Sequence, residues 1–286
     1  MQILDGKAYS AELRLEIKSN AESFFNKFGR KIGLAVVIVG DDPASQVYVK
    51  NKIIATEQCY FKSFSARLEE SVSQEEVENV VIDLANNPEV DGIIVQLPLP
   101  KKFDSNKILA HIPACKDVDG LCAENLGKLV MGEKTLISCT PYGVIKLLKK
   151  YGVEFSGKTA VVIGRSNMVG KPVASLLMQE NCTVTICHSK TKDIESYAKN
   201  ADILVAAIGK AKFVTANMVK DGAVVVDVGI NRVDGKLYGD VDFDSVKEKA
   251  SFITPVPGGV GPMTVTMLMY NTMVAAYRSK GVYEFQ

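Results

Sequence analysis

The chain has 286 residues, enough at roughly 150 residues per domain for two compact units that each bury a core. Lys and Arg number 34 against 33 Asp and Glu, a formal net charge of +1, so the cation surplus of a dedicated nucleic-acid binder is absent. Hydrophobic residues make up 47% and charged residues 23%, and the longest apolar runs, such as residues 34–39 and 203–208, are strand-sized; this excludes extended disorder and offers no membrane span.

In chain order, residues 3–28 read as an opening helix and 31–40 as a strand. A helix is predicted over 43–59, a strand over 61–68, a helix over 73–86 and a strand over 90–97. The third helix has a start signal, Ser73 followed by Glu76 as a capping box before the apolar Val77, Val80 and Val81. Pro98 and Pro100 remove backbone donors and must end the strand before them. Residues 140–151 form an amphipathic helix expected to bridge two domains. Four apolar runs then follow, 160–163, 183–186, 203–208 and 223–228, separated by helix-length segments as buried parallel strands are. After Gly258-Gly259-Val260-Gly261-Pro262 comes a last helix over 263–278, apolar on too wide a face for a free tail and expected to pack back on the first domain. The alternation predicts an α/β protein with parallel sheets.

Cys59, Cys115, Cys122, Cys139, Cys182 and Cys187 form no C-x-x-C pair and read as reduced thiols; His111 and His188 have no ligand spacing, so no metal is expected. Asp5, Gly6 and Lys7 stand where a secretory signal would be apolar, so a cytoplasmic protein is expected.

The sharpest local signal runs from Val161 through Gly164-Arg165-Ser166 to Gly170-Lys171-Pro172, a strand turning through glycine into a helix whose N-terminal N–H groups favour phosphate. It lacks the second glycine of the dinucleotide fingerprint, and an ordinary β–α turn would read the same. The next apolar run ends in Cys187-His188-Ser189-Lys190-Thr191, with no carboxylate for an unmodified ribose. Ser189, Lys190 and Arg165 instead offer donors and charge to a 2′-phosphate, which favours NADP over NAD, although Lys190 also suits a solvated surface.

Three features carry chemistry. Tyr48 and Lys52, four residues apart on a predicted helix, share one face, as a surface pair also would. Gln96 ends an apolar strand, where ligands of open α/β sheets bind. Asp117-Val118-Asp119-Gly120 is an acidic turn that serves either recognition of paired N–H donors or a simple Asx turn.

In this order the motifs resemble the bifunctional methylenetetrahydrofolate dehydrogenase/methenyltetrahydrofolate cyclohydrolase family over essentially the whole chain. The strings are Gly40-Asp41-Asp42-Pro43-Ala44-Ser45 with Tyr48 and Lys52, Gln96-Leu97-Pro98-Leu99-Pro100, Lys116-Asp117-Val118-Asp119-Gly120, Gly164-Arg165-Ser166, Asp227-Val228-Gly229-Ile230-Asn231 and Pro255-Val256-Pro257-Gly258-Gly259. Leu121-Cys122-Ala123-Glu124 departs from the family pattern. The resemblance implies two domains with a cleft between them, residues 1–139 plus 263–286 binding folate and 140–262 forming a Rossmann-like, doubly wound NADP domain. It implies oxidation of 5,10-methylenetetrahydrofolate by NADP and hydrolysis of the methenyl product to 10-formyltetrahydrofolate, hence a place in one-carbon metabolism and purine biosynthesis. Lys52 would move protons, oriented by Gln96, while Tyr48 packs on the folate ring and Asp119 holds its pterin edge. Pro257, Gly258 and Gly259 would approach the substrate, and Gly164, Arg165, Ser166, Ser189, Lys190 and Ile230 the cofactor. A homodimer is implied too. A non-catalytic NADP sensor would need Arg165 and Ser189 but be indifferent to Lys52.

Overall fold

In the computed structural model the described residues are 1–285, without the side chains of residues 43–48. Their strands are β1 (Gln2–Ile3), β2 (Gly33–Val39), β3 (Lys62–Leu68), β4 (Gly92–Val95), β5 (Thr159–Ile163), β6 (Thr183–Cys187), β7 (Ile203–Ala206), β8 (Val224–Asp227), β9 (Asn231–Val233), β10 (Lys236–Tyr238) and β11 (Phe252–Ile253).

The chain divides into two compact α/β units. One comprises residues 12–128, 133–139 and 265–286 and holds a parallel three-stranded sheet in the order β3-β2-β4. The central strand β2 is buried at every residue, which explains its unbroken apolar run: a parallel strand covered on both faces has no solvent side to make polar. Val37 and Ile93 on the sheet meet Val77 and Val81 of the helix Gln74–Asn86 in one core. That helix starts as expected. Ser73 accepts from the Glu76 N–H, and the Glu76 carboxylate accepts from the Ser73 N–H.

The other unit comprises residues 1–11, 129–132 and 140–264 and holds the six-stranded order β1-β11-β8-β7-β5-β6, parallel throughout. This is the Rossmann-like doubly wound sheet: β6 lies on one side of β5 and β7 on the other, so the chain reverses direction at β5. Ligands of open α/β sheets bind beyond the carboxyl ends of the strands at that switch point, where Gly164 follows β5.

Several expectations are adjusted. The opening segment is not helical from residue 3: Gln2–Ile3 pairs with Phe252–Ile253, and the helix is Gly6–Phe28. Residues 1–11 therefore fall with the six-stranded sheet, whereas the sequence reading grouped them with the folate-binding half. β7 stops at Ala206 rather than residue 208, because the Ile208, Gly209 and Lys210 N–H groups turn to the Asp240 carboxylate at 2.7, 3.0 and 2.8 Å. The antiparallel β9–β10 hairpin was not anticipated. The last helix begins earlier, at Val260–Ser279, and from Val265 onward it belongs to the three-stranded unit. Among the described residues no helix is long and apolar enough to cross a membrane.

Candidate active site

In the three-stranded unit the helix Pro43–Gln58 follows β2 and carries Lys52, while Gln96 directly follows β4. The Lys52 ammonium donates to Gln96 Oε1 at 3.0 Å, and Gln96 Nε2 donates to the Leu97 carbonyl at 2.6 Å, so the amide has its oxygen turned toward the amine. Burial pushes the Lys52 amine below the ordinary lysine value, opposed by the nearby Asp119 carboxyl and Cys139 thiol. Burial likewise pushes the Asp119 carboxyl up, opposed by the Lys52 charge. Both groups thus sit where desolvation favours the uncharged form, the condition under which an amine becomes available as a base nearer neutral pH. The Tyr48 side chain lies outside the described residues.

The acidic turn divides its labour. Asp117 is buried and accepts from the Cys122 N–H at 2.8 Å and Asn125 Nδ2 at 3.0 Å, and the Gly120 N–H closes on the Asp117 carbonyl at 3.0 Å. Gly120 has φ +66°, and a side chain there would collide with the Ser138 backbone at 2.5 Å. The turn thus closes backbone to backbone rather than as an Asx turn, the Asp117 side chain fastens the following segment, and Asp119 is the carboxylate near Lys52. Two segments meet here, since buried Asn271 donates to the Val118 carbonyl at 2.8 Å and the Ile137 carbonyl at 2.7 Å. That staple sets Asp119 beside Cys139, whose thiol donates to the Val118 carbonyl at 3.2 Å. Cys139 was not singled out by sequence: it has no motif of its own and reaches the site only through tertiary pairing. Asp119 also lines a cavity of about 390 Å³, together with Leu97, Ile112 and the departing segment's Leu121 and Cys122.

The remaining expected residues belong to the other unit. Gly164 has φ +130°, and a Cβ on it would meet the Ala207 carbonyl at 2.2 Å, while one on Gly170 would meet the Gly164 carbonyl at 2.3 Å. Glycine is required at both positions because strand end and helix start pass in backbone contact. Ser166 Oγ accepts from the Val169 and Gly170 N–H groups at 3.1 and 3.4 Å, fastening the loop to the helix Gly170–Gln179. Arg165 is exposed here, and so are Ser189 and Lys190 beyond β6. The Lys190 N–H donates to His188 Nδ1 at 3.1 Å, which shapes that turn. A glycine cradle, exposed cationic donors and no carboxylate at the end of β6 fit a dinucleotide bearing a 2′-phosphate.

Ile230 and Pro257–Gly259 line one cavity of about 120 Å³. Two buried aspartates organise its walls. Asp227, at the end of β8, accepts from the N–H groups of Gly229, Asp240 and Val241 at 3.0, 2.8 and 2.9 Å. Its own N–H donates to Thr254 Oγ1 at 2.7 Å, just before the Pro255–Gly259 loop. Asp240 accepts the three N–H bonds of the 208–210 turn and one from Asn231 Nδ2 at 2.9 Å. A side chain at Gly229 would strike the Asp240 carboxylate, and one at Gly239 that of Asp227. Burial pushes Asp227 up to about 6, against the pull of its three N–H donors.

Comparison with known proteins identifies the family. The family profile described as tetrahydrofolate dehydrogenase/cyclohydrolase, catalytic domain, matches residues 4–119, and that described as the NAD(P)-binding domain of the same family matches residues 138–280. A relative named bifunctional protein FolD from Campylobacter concisus is 55% identical over 277 residues, 96% of this chain and 98% of its own. The crystal structure of the bifunctional FolD methylenetetrahydrofolate dehydrogenase/cyclohydrolase from Campylobacter jejuni superposes with a TM-score of 0.95 at 47% identity, covering 98% of this chain and 99% of that one. The Trypanosoma brucei N5,N10-methylenetetrahydrofolate dehydrogenase-cyclohydrolase, solved with NADP cofactor and an inhibitor, gives 0.93 at 39% identity, covering 97% and 98%. With both domain profiles matched and relatives similar from end to end, the chain belongs to the tetrahydrofolate dehydrogenase/cyclohydrolase family.

Proposed function

We propose that Lys52 moves the protons of the second of two reactions, and the observation that carries this reading is its hydrogen bond to Gln96 in a desolvated setting beside Asp119. The protein is a bifunctional one-carbon enzyme: it oxidises 5,10-methylenetetrahydrofolate to 5,10-methenyltetrahydrofolate and hydrolyses that product to 10-formyltetrahydrofolate. NADP, when bound, takes the hydride of the first step. In the second, water attacks the methenyl carbon and loses a proton to the Lys52 amine; the bond from that carbon to a ring nitrogen then breaks, Lys52 returns its proton to that nitrogen, and the remaining hydroxyl proton leaves to solvent as the formyl carbonyl forms. Gln96 holds the amine in place by accepting its N–H, which leaves the nitrogen lone pair of the neutral form for the water. Tyr48, one helical turn before Lys52, takes the face of the folate ring, and Asp119 accepts the paired N–H donors of the pterin. Pro257, Gly258 and Gly259 approach the substrate by backbone, Gly258 at φ +107°. Gly164, Arg165, Ser166, Ser189, Lys190 and Ile230 hold the cofactor. In this reading the folate-binding half is residues 1–139 with 263–286, apart from residues 1–11, which group with the six-stranded sheet, and the cofactor half is 140–262.

The direct test is absorbance of purified protein with 5,10-methylenetetrahydrofolate and either NADP or NAD: methenyltetrahydrofolate should form and decay, faster with NADP. A non-catalytic sensor would give no turnover with either. The homodimer implied by the family resemblance, and a cytoplasmic setting for six cysteines without a disulfide among the described residues, belong to the same reading; sedimentation should give twice the monomer mass of 31.0 kDa.

Asp119→Asn should weaken folate binding by about tenfold or more and spare NADP, because an amide presents donors where the pterin needs an acceptor. Calorimetry with each ligand checks it, and unchanged folate affinity would remove Asp119 from the substrate site. Asp240→Ala leaves the 208–210 N–H groups and Asn231 without their shared acceptor. It should raise the NADP KM by roughly tenfold while cyclohydrolase, which uses no cofactor, stays near the wild-type rate; Asp240→Asn should fall between. A parallel fall of both activities would make the aspartate purely structural.

A further inference from the structure

A cavity of about 640 Å³ lies in the three-stranded unit far from Lys52 along the sheet. Lys52 and Gln96 stand at the carboxyl ends of β2 and β4, whereas Arg30 and Asp91, which line this cavity, stand at their amino ends. Its size suits a small molecule. Its lining is unbalanced for a chain of net charge +1. Four lysines, Lys116, Lys128, Lys134 and Lys280, join Arg30 and Arg278 around it, against the carboxylates of Asp91 and Glu124 alone.

Those two carboxylates are already engaged. Arg30 grips both oxygens of Asp91 at 2.7 Å, and the Gly33 N–H adds a third bond at 2.8 Å. Glu124 is taken by Lys128 at 2.6 Å. The donors are not matched in the same way. Lys116 spends two protons on the Ala85 and Asn87 carbonyls, each at 2.8 Å, which leaves its third, and burial pushes its pKa down. Lys134 and Lys280 pair with no carboxylate among the described residues; Lys280 only overlies the Phe28 ring at 6.0 Å. Like charges around a shared concavity repel, and a bound anion both relieves that and accepts the surplus donors. Val90, Leu136 and Ala275 give the cavity an apolar wall.

We propose that this cavity is a second ligand site, which binds a small oxyanion carrying two or more negative charges, either a phosphate ester or a polycarboxylate. Its occupant would rest on the elements that carry the catalytic centre, since Lys116 lies three residues before Asp119 and Leu136 three before Cys139.

The test is calorimetric titration of inorganic pyrophosphate, and separately of citrate, at low ionic strength into the full chain saturated with NADP, so that the phosphate-binding loop at Gly164 is filled. Saturable one-to-one binding of at least one anion is expected, weakening as NaCl is added. Pyrophosphate alone would identify the phosphate source, citrate alone the polycarboxylate source. The paired substitution Lys134→Glu with Lys280→Glu should lower affinity by about tenfold or more, and Lys134→Gln with Lys280→Gln by less, both with cyclohydrolase turnover unchanged. The proposal is overturned if neither anion gives saturable heat, or if both paired variants bind as tightly as the wild type.

Discussion

Lys52→Met is expected to lower cyclohydrolase turnover by about two to four orders of magnitude while part of the dehydrogenase activity survives. The two steps differ in what they ask of the protein. Hydride transfer requires the methylene carbon held against the nicotinamide, a matter of positioning in which the enzyme need take no proton. Hydrolysis of the methenyl cation requires a proton to leave the attacking water and another to reach the departing nitrogen. The Lys52 amine is hydrogen-bonded to Gln96, 3.0 Å from its oxygen, and pushed below the ordinary lysine pKa by burial. Methionine keeps the length and the apolar stem but removes the amine. The variant should accumulate methenyltetrahydrofolate, visible in the near ultraviolet. The pH profile adds a second readout. A lowered amine pKa means that the neutral, base-competent form appears at lower pH than for an ordinary lysine, so wild-type cyclohydrolase should rise with pH on a limb shifted below that value. The Met variant should lack the limb. Wild-type hydrolysis of added methenyltetrahydrofolate by the variant would instead remove Lys52 from the proton transfers.

Arg165→Ala should raise the NADP KM well above tenfold and alter NAD use little. One lost charge-assisted contact to a phosphate is worth on the order of 1.5–3 kcal/mol, and 1.4 kcal/mol is a factor of ten. The structure leaves the side chain exposed beyond β5 at the point where the strand order reverses, while the glycines at 164 and 170 do the work of closing the turn. Because the side chain is exposed, its removal should disturb the loop little. Initial rates against each cofactor decide the matter, and equal losses with NADP and NAD would assign Arg165 to the loop rather than to the 2′-phosphate. A cyclohydrolase rate near wild type should accompany either result, since Arg165 and Lys52 belong to different units.

Most of the α/β alternation was legible without coordinates, because it rests on local physics. The unbroken apolar run of β2 and the capping box at Ser73 are written in adjacent residues, and the structure has both where periodicity and capping put them. Pairing across long separations was not legible. Gln2–Ile3 is too short to show a period, and it becomes a strand only because Phe252–Ile253 offers an open edge some 250 residues later. That pairing, with the Lys7 N–H on the Gly258 carbonyl and the Asp5 N–H on the Tyr151 hydroxyl, ties the N-terminus to the other unit.

The candidate site divides in the same way. Sequence alone determined which residue types stand at strand ends and turns: Lys52, Gln96, Asp119, and a strand–glycine–helix loop followed by a β6 end without a carboxylate. It could not tell Asp117 from Asp119, two carboxylates in one tetrapeptide. The fold separates them, since the Cys122 N–H and Asn125 come to Asp117 and leave Asp119 with Lys52 and Cys139. Nor could it show that Asn271, far along the chain, pins the backbone on both sides of that contact, or that Asp227 and Asp240 gather the loops around Ile230. The reason is physical. Motifs record what a residue does with its neighbours in the chain, whereas the burial that shifts the Lys52 amine and the donors that saturate a buried carboxylate come from segments brought together only by tertiary packing.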